Sequence, residues 1–267
     1  GFYAGGQFGL PHPGGATNVS PHYLETTQIK DANGDTQNFK SYVEAHGGIR
    51  KISAGNAGTY LLLNDGTLYG AGGHSSLFGL GNIGPLPIFT YIGDGFSNMD
   101  MNHDSTLAIQ NGVMLATGYN AEGPLGIGNN TSQSVFVPVI MPESYTGADV
   151  KQMFTGVQMS AMLMNDGNLY TAGYNGRGQL GTGNTDNANT FTLANTDVTY
   201  MASGGNGNFQ LIVKNDGQMY GVGYNQFGQF GNGATSDPQD GIWRLAGTSA
   251  EVDDIFGFDA DGNFIDG

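Results

Sequence analysis

The stretch LMNDGNLYTAGYNGRGQLGTGN, residues 163–184, decides the fold of this 267-residue chain. It contains G-x-G-x-x-G at Gly176, Gly178 and Gly181, the spacing of loops that cradle nucleotide phosphates. A phosphate loop of this kind needs a strand before it, a helix after it and an acidic residue about 20 positions further on. Whether the stretch is a phosphate loop or a structural repeat depends on whether it occurs once.

The stretch occurs four times in related form. In each copy a turn glycine is followed six residues later by a second glycine, and the pairs are Gly66/Gly72, Gly112/Gly118, Gly167/Gly173 and Gly217/Gly223. Successive turn glycines lie 46, 55 and 50 residues apart, in the range of propeller blades. The sister loops have Ala121 and Gln226 where the phosphate motif needs its first glycine, and no helix pattern follows them. The sequence therefore favours a structural repeat.

Each copy has the pattern of an antiparallel sheet. A short apolar strand, buried on both faces, precedes an Asn-Gly or Asp-Gly turn, and that dipeptide between two strands is a strong hairpin signal. A second strand, a loop that reads Gly-Tyr-Asn in three copies and an outer β-rich run follow. The apolar strands are residues 60–63, 107–109, 161–164 and 211–213, and the outer runs are 88–92, 135–139, 191–193 and 242–245.

The pattern of residues 163–183, which recurs in 211–233, resembles the repeat of the regulator of chromosome condensation family, whose members form β-propellers. The resemblance implies a ring of four-stranded blades around a central channel, with loops on two opposite faces as partner-binding surfaces. Members of the family include a nuclear nucleotide-exchange factor, ubiquitin-ligase modules and a secreted enzyme inhibitor. The residues that carry exchange activity in the nuclear member match no motif here, so no functional residue is carried over.

We therefore predict one all-β domain, a β-propeller of about five or six four-stranded blades, fewer than the seven that are usual in the family. The repeats are predicted at residues 49–95, 96–149, 150–197 and 198–248, with partial repeats at 1–15 and 250–267. The two partial repeats can complete one blade together and close the ring. Closure within one chain is favoured, because terminal strands are usually tied to their own domain. The alternative is that the strand is donated to a neighbouring chain, so that the molecule polymerises.

Composition limits the partners and the setting. The net charge of −15 repels the phosphate backbone of nucleic acids, no apolar run reaches the length of a membrane span, and the absence of cysteine excludes disulfides and thiolate metal sites. The chain starts at Gly1 inside a recognisable motif, so it is either processed or a piece of a longer protein. Low charge and abundant Gly, Asn and Thr suggest an extracellular or virion location.

Sites of catalysis or metal binding are not indicated. The five histidines have no metal-ligand spacing, no G-x-S-x-G elbow occurs, and no carboxylate pair stands out. Asp259 and Asp261 resemble part of a calcium loop, but acidic residues also precede other turn glycines, so a structural turn is favoured. Trp243 aligns with Phe89, Phe136 and Phe191, which favours packing over partner binding. The prediction is no enzyme, no cofactor and no metal.

Residues 17–46 interrupt the repeats. Residues 27–30 and 36–39, on either side of 31–35, predict a polar hairpin. Insertions in repeat proteins often lie on the binding face, so partner binding and a plain solvated loop are equal alternatives here. The predicted partner-binding residues are Tyr23, Ile29, Asn33, Phe39 and Tyr42.

The predicted function is a non-catalytic structural or protein-interaction module that binds a protein partner or its own copies, in a virion or extracellular assembly. The alternative is a soluble regulator of one globular partner, either an exchange factor or an enzyme inhibitor. A propeller enzyme, with active-site residues gathered from several blades, has no support in the sequence.

Overall fold

Four sheets, each built around four antiparallel strands, follow one another along the part of the chain that the structure describes. The computed structural model describes residues 28–246, apart from 74, 82–83, 103–104, 143, 205–206 and 236–238. The four antiparallel strands of each sheet follow chain order, and consecutive sheets pack through the first of these strands. These sheets are propeller blades, as the all-β prediction requires. The total of five or six blades and the ring closure by residues 1–15 and 250–267 concern residues outside those described.

A hairpin and a short helix precede the first blade. Strands β1 (Gln28–Lys30) and β2 (Thr36–Asn38) pair antiparallel, and the carboxylate of Asp31 closes the turn by accepting the backbone N–H groups of Asn33 and Asp35, each at 2.9 Å. Phe39, predicted as strand, instead begins helix α1 (Phe39–Ala45), because the side chain of Asn38 caps the helix by accepting the N–H of Ser41. Strand β1 then pairs in parallel with the outer strand of the first blade.

The blades share one design of four strands. Blade 1 consists of β3 (Ile49–Ala54), β4 (Gly58–Leu63), β5 (Leu68–Gly72) and β6 (Leu86–Gly93). Blade 2 consists of β7 (Phe96–Met101), β8 (Ser105–Gln110), β9 (Val113–Gly118) and β10 (Gln133–Pro138). Blade 3 consists of β11 (Val150–Thr155), β12 (Met159–Met164), β13 (Leu169–Gly173) and β14 (Ala188–Asn195). Blade 4 consists of β15 (Val198–Ser203), β16 (Phe209–Lys214), β17 (Met219–Gly223) and β18 (Arg244–Leu245).

The turn between the second and third strands of each blade is closed by glycine in the left-handed region. In blades 1, 3 and 4 the aspartate before the glycine accepts the N–H of the residue two positions on, at 2.9 to 3.1 Å, so these carboxylates hold turns. Blade 2 has a hairpin one residue shorter, in which Asn111 at φ 50° and Gly112 at φ 78° form the two-residue turn. Two positive φ angles in succession are typical of the hairpin turn that asparagine-glycine favours.

The hydrophobic core lies between blades. The second strand presents alternate side chains to the two flanks of its blade; in β4, for example, Tyr60 and Leu62 pack toward blade 2, whereas Leu61 and Leu63 pack on the opposite flank. That opposite flank of blade 1 is covered in part by Ile29 of β1 and Val43 of α1. The inserted hairpin and helix therefore shield the side of blade 1 that faces away from blade 2.

The inner edge of the same flank stays exposed. By strand register, Ile52 of β3 occupies the position that Met99 occupies in β7, since each lies opposite the corresponding residue of the second strand. The exposed fraction is 0% for Met99 and 58% for Ile52. In the next register position along these strands, Phe96 is 3% exposed and Ile49 is 43% exposed. Blade 1 thus keeps an apolar, uncovered strip where blade 2 is packed against its predecessor.

Aromatic side chains in the outer strands, or directly before them, pack against a glycine in the loop of the preceding blade. A Cβ on Gly79 would lie 2.2 Å from Phe136, and one on Gly126 would lie 2.4 Å from Phe191. In the same relation, a Cβ on Gly181 would lie 2.4 Å from Trp243. The indole N–H of Trp243 also donates to the carbonyl groups of Gly181 and Ala194, both at 3.1 Å. Trp243 therefore packs between blades, as the alignment with phenylalanine predicts.

Candidate protein-interaction face

One asparagine per repeat fixes the loop between the third and fourth strands. The side-chain oxygens of Asn120, Asn175 and Asn225 accept the backbone N–H groups five residues on, at 2.9 to 3.0 Å. Their amide groups donate to carbonyl oxygens nine residues on, at 2.8 to 3.0 Å. All three side chains are at most 1% exposed. The asparagine of Gly-Tyr-Asn is thus a buried brace that gives each loop the same fixed shape.

The second residue after each brace differs from loop to loop. These positions hold Glu122, Arg177 and Phe227 in blades 2, 3 and 4. Because all three loops join the third strand to the fourth, the three side chains lie at the same end of consecutive blades. We call this end the loop face. Loops with the same backbone shape and a different side chain at one position are suited to recognition, because the buried asparagine maintains the loop and the variable side chain is free to bind.

The loop face carries a cluster of one exposed aromatic side chain and two half-buried neighbours. Phe227 is 82% exposed, and its ring lies edge-on to that of Tyr224, with the centroids 5.8 Å apart. The guanidinium carbon of Arg177 lies 4.6 Å from the centroid of the Tyr224 ring, a cation–π contact that joins blade 3 to blade 4. We call Arg177, Tyr224 and Phe227 the tip cluster. Aromatic residues and arginine dominate the energetics of protein interfaces.

The predicted partner-binding residues lie elsewhere and are not equivalent to one another. Tyr23 lies outside the described residues. Ile29 is 0% exposed and packs in the core, so its placement corrects the prediction for this side chain, because the parallel pairing of β1 with β6 turns it inward. Phe39 and Tyr42 are half-buried against the same cluster. Asn33 is exposed at the tip of the hairpin, where partner binding stays a prediction.

A polar row links the innermost strands of blades 1 to 3. Lys51 donates to Asn98 at 2.8 Å, and the carboxylate of Asp100 accepts the backbone N–H and the hydroxyl of Thr155, at 2.8 and 3.1 Å. Burial raises the pKa of Asp100, and the hydrogen bonds from Thr155 and the charge of Lys51 oppose this shift. Burial also lowers the pKa of Lys51, against the charge of Asp100. Each contact crosses a blade boundary, so the row ties blades together at the centre.

The described residues contain neither a candidate metal centre nor a candidate membrane-spanning helix. Within them, no group of three or more His, Cys, Asp or Glu side chains is placed to hold a metal ion. In the same part of the chain, no helix has the length and apolar character needed to cross a membrane. Among the described residues the one histidine is His46, whose ring stacks on that of Tyr42 with the ring centroids 4.1 Å apart.

The tip cluster is the part of the site that sequence patterns alone did not single out. In the repeat alignment Gly126, Gly181 and Gly231 each stand eight residues after the first glycine of Gly-Tyr-Asn. Phe227 is a large apolar residue at a position that Glu122 and Arg177 occupy elsewhere. That difference between the loops is the sequence feature from which Phe227 could have been identified. The contact between Arg177 and Tyr224 could not be predicted from a sequence pattern, because it depends on how blades 3 and 4 pack.

Known proteins share both the repeat and the architecture. A family model for the regulator of chromosome condensation (RCC1) repeat matches residues 166–211. The X-linked retinitis pigmentosa GTPase regulator of Mus musculus is 36% identical over 81 residues, which are 30% of this chain and 8% of that protein. The protein RCC2 homolog of Xenopus laevis is 30% identical over 141 residues, 50% of this chain and 27% of that protein. The chain thus spans a small part of the length of these relatives.

Solved structures agree with the observed architecture. Human WBSCR16 superposes with a TM-score of 0.68 at 18% identity, over 91% of this chain and 64% of that one. Prp20p from Saccharomyces cerevisiae superposes with a TM-score of 0.65 at 16% identity, over 76% of this chain and 51% of that one. At such identities the likeness shows the fold. With its repeat motif and its stacked four-stranded blades, the chain is a β-propeller of the regulator of chromosome condensation type.

Proposed function

We propose that this chain is a non-catalytic protein-interaction module that binds a protein partner through its loop face. The observation that carries the proposal is the tip cluster. Phe227 is 82% exposed on a loop that Asn225 holds rigid, so a partner can bury a large apolar side chain without a large cost of ordering the loop. Arg177 and Tyr224 beside it add two further residue types that anchor protein interfaces.

The relatives and structural neighbours support binding of proteins as the general activity. One matched protein is a secretion-regulating guanine nucleotide exchange factor of Mus musculus, 33% identical over 81 residues. The yeast RCC1 structure was solved with Kap60 bound, and the Prp20p study describes binding to Gsp1p and histones. These partners belong to those proteins. For this chain they favour a module that binds proteins and does not catalyse a reaction of its own.

We also propose an extracellular or virion assembly as the setting. The support is compositional: 12% charged residues, 47 glycines and no cysteine in 267 residues. The second candidate, a soluble regulator of one globular partner, is favoured by the names of the relatives. Light scattering coupled to size-exclusion chromatography separates the two, because an assembly protein forms large particles or filaments, whereas a regulator elutes as a discrete small species.

Site-specific photo-crosslinking tests the loop face directly. The crosslinking amino acid p-benzoylphenylalanine replaces Phe227 on the loop face or, as a control, the exposed Gln218 at the opposite turn. In an extract of the organism that encodes the chain, we expect a crosslinked protein at position 227 and none at 218. Combining the probe with Arg177→Ala should reduce the yield several-fold. Equal yields at both positions, or no product at 227, would refute binding at this face.

A further inference from the structure

A polar pocket lies on the loop face between blades 2 and 3. Its volume is about 420 Å³, and it is lined by Glu122 and Asn130 from the blade 2 loop and by residues at the start of the blade 3 outer strand, namely Asn187, Ala188, Asn189, Thr190 and Thr192. We call it the interblade pocket. The lining consists of one carboxylate, three asparagines, two threonines and one alanine, so it contains negative charge and no lysine or arginine.

The pocket is held in a fixed shape by contacts between the two blades. The amide of Asn189 donates to the side-chain oxygen of Asn130 at 3.2 Å, and the amide of Asn130 donates to the carbonyl of Ala121 at 2.7 Å. Gly123 packs so closely that an added Cβ would lie 2.6 Å from the Cα of Asn189. The walls of the pocket are therefore already ordered, and a ligand would not have to organise them.

Glu122 has an unused hydrogen-bonding atom in this setting. Its Oε2 is buried and has no hydrogen-bond partner among the described residues. A buried carboxylate oxygen without a donor is unfavourable, because it has lost water and gained nothing in exchange. The polar atoms of the asparagines and threonines around it can accept further hydrogen bonds. A positively charged group with several N–H donors supplies what this pocket lacks.

We propose that the interblade pocket binds the guanidinium or ammonium group of a basic side chain on the protein partner. Guanidinium presents a planar fork of N–H donors that suits a carboxylate, and such charge-assisted hydrogen bonds are stronger than neutral ones. The net charge of −15 also draws basic partners toward the chain. In the next loop the equivalent position holds Arg177, whose guanidinium lies over Tyr224, so the same frame accommodates a cation at its tip there. The inference rests on the proposed function and names the chemistry of the partner.

The pocket can be tested on the purified chain without a partner. The probes are Nα-acetyl-arginine amide and, as a neutral ligand of nearly the same shape, Nα-acetyl-citrulline amide, titrated while backbone amide chemical shifts are recorded by NMR. We expect saturable shifts at residues 121–123 and 187–192 with the arginine compound. The citrulline compound should bind at least about ten-fold more weakly, the effect of losing one charge-assisted hydrogen bond.

Two variants decide the role of Glu122. Glu122→Gln keeps the side-chain shape and should weaken the arginine compound about ten-fold or more, whereas Asp186→Asn removes one exposed carboxylate from the neighbouring blade 3 loop and should change binding less than about two-fold. Equal binding by wild type and Glu122→Gln would overturn the proposal, as would equal binding of the citrulline compound. A third refuting result is displacement of the arginine compound by calcium chloride but not by sodium chloride of equal ionic strength, since it would assign the pocket to a metal. Crosslinking at position 227 does not depend on these outcomes, so the two proposals fail separately.

Discussion

The carboxylate of Asp100 accepts the backbone N–H of Thr155 at 2.8 Å, across the boundary between blades 2 and 3. Burial nonetheless raises the pKa of Asp100 above the ordinary 3.8. A carboxyl whose pKa is higher in the folded state takes up its proton there first. Its contribution to stability is therefore complete below the ordinary pKa and is lost as pH rises through the raised pKa.

We therefore predict that wild type gains stability relative to Asp100→Asn as pH falls from 7 toward 3.8. The measurement is the free energy of urea unfolding of both proteins at a series of pH values. Lys51→Met provides the control, because removing the positive charge that opposes the shift should raise the pKa of Asp100 further and steepen the dependence. If the wild type instead loses stability relative to Asp100→Asn as the pH falls, the hydrogen bonds from Thr155 affect the pKa of Asp100 more than burial does.

Gly181 and Gly183 form a matched pair for testing the contact between Gly181 of blade 3 and Trp243 of blade 4. Their φ angles are +71° and +75°, so alanine at either site adds the left-handed backbone penalty of ~1–2 kcal/mol. At Gly181 the new Cβ would also lie 2.4 Å from Trp243, whereas at Gly183 nothing lies within 4 Å. We predict that Gly181→Ala costs about 1–3 kcal/mol more than Gly183→Ala, as overpacking does. Chemical denaturation measures both, and equal costs would show that the indole moves away freely.

A serine in the core of blade 3 makes no hydrogen bond where its repeat equivalents do. Thr106 donates to the carbonyl of Leu77 at 2.9 Å and Gln210 to that of Gln179 at 2.6 Å, each in the loop of the preceding blade. Ser160 occupies the same strand position, is 0% exposed, and its hydroxyl has no partner among the described residues. The equivalent carbonyl in the blade 2 loop is that of Pro124, and the hydroxyl of Ser160 makes no hydrogen bond to it.

We predict that Ser160→Ala is neutral or slightly stabilising, because it removes a buried hydroxyl that gains nothing. Thr106→Val, which keeps the side-chain shape and removes a hydrogen bond, should cost about 1 kcal/mol. The midpoint of urea unfolding distinguishes the two variants. A cost for Ser160→Ala that matches that of Thr106→Val would mean that the serine hydroxyl is hydrogen-bonded in solution.

The sequence predicted those parts of the fold that have a local signal. The apolar second strands, such as β4, and the turns at Asp65-Gly66 and its counterparts are encoded within a few residues, and the repeat spacing supplied the blade. Helix α1 also had signals, Asn38 as cap and Gly47-Gly48 after the last turn, but residues 36–39 resemble a strand as well. A competing local pattern therefore hid the helix.

The inner strands and the candidate site were less predictable for a physical reason. β3 mixes Lys51 and Ser53 with apolar residues, so its place at the centre of the propeller depends on contacts with another blade. Likewise, the local sequence indicates that Ile29 is an exposed hairpin residue. Its burial depends on the parallel pairing of β1 with β6, which turns the side chain inward. The tip cluster depends on the packing of blade 4 against blade 3. Contacts of this kind join residues about 50 positions apart and leave no trace in a short window of sequence.

The uncovered strip of blade 1 gives the last prediction, on the ends of the propeller. Ile52 and Met99 share a register position, yet Ile52 is 58% exposed and Met99 is 0% exposed. Truncating a buried methionine leaves a cavity and costs about 2–5 kcal/mol, whereas truncating an exposed isoleucine costs little. We therefore predict that Met99→Ala costs at least about 2 kcal/mol and that Ile52→Ala costs less than about 1 kcal/mol, both measured by urea unfolding. If Ile52→Ala proves as costly as Met99→Ala, this flank is covered in solution as the inner flank of blade 2 is. If the loss of unfolding free energy caused by Ile52→Ala then increases with protein concentration, a second copy of the chain covers this flank. If the loss does not depend on concentration, the same chain covers it.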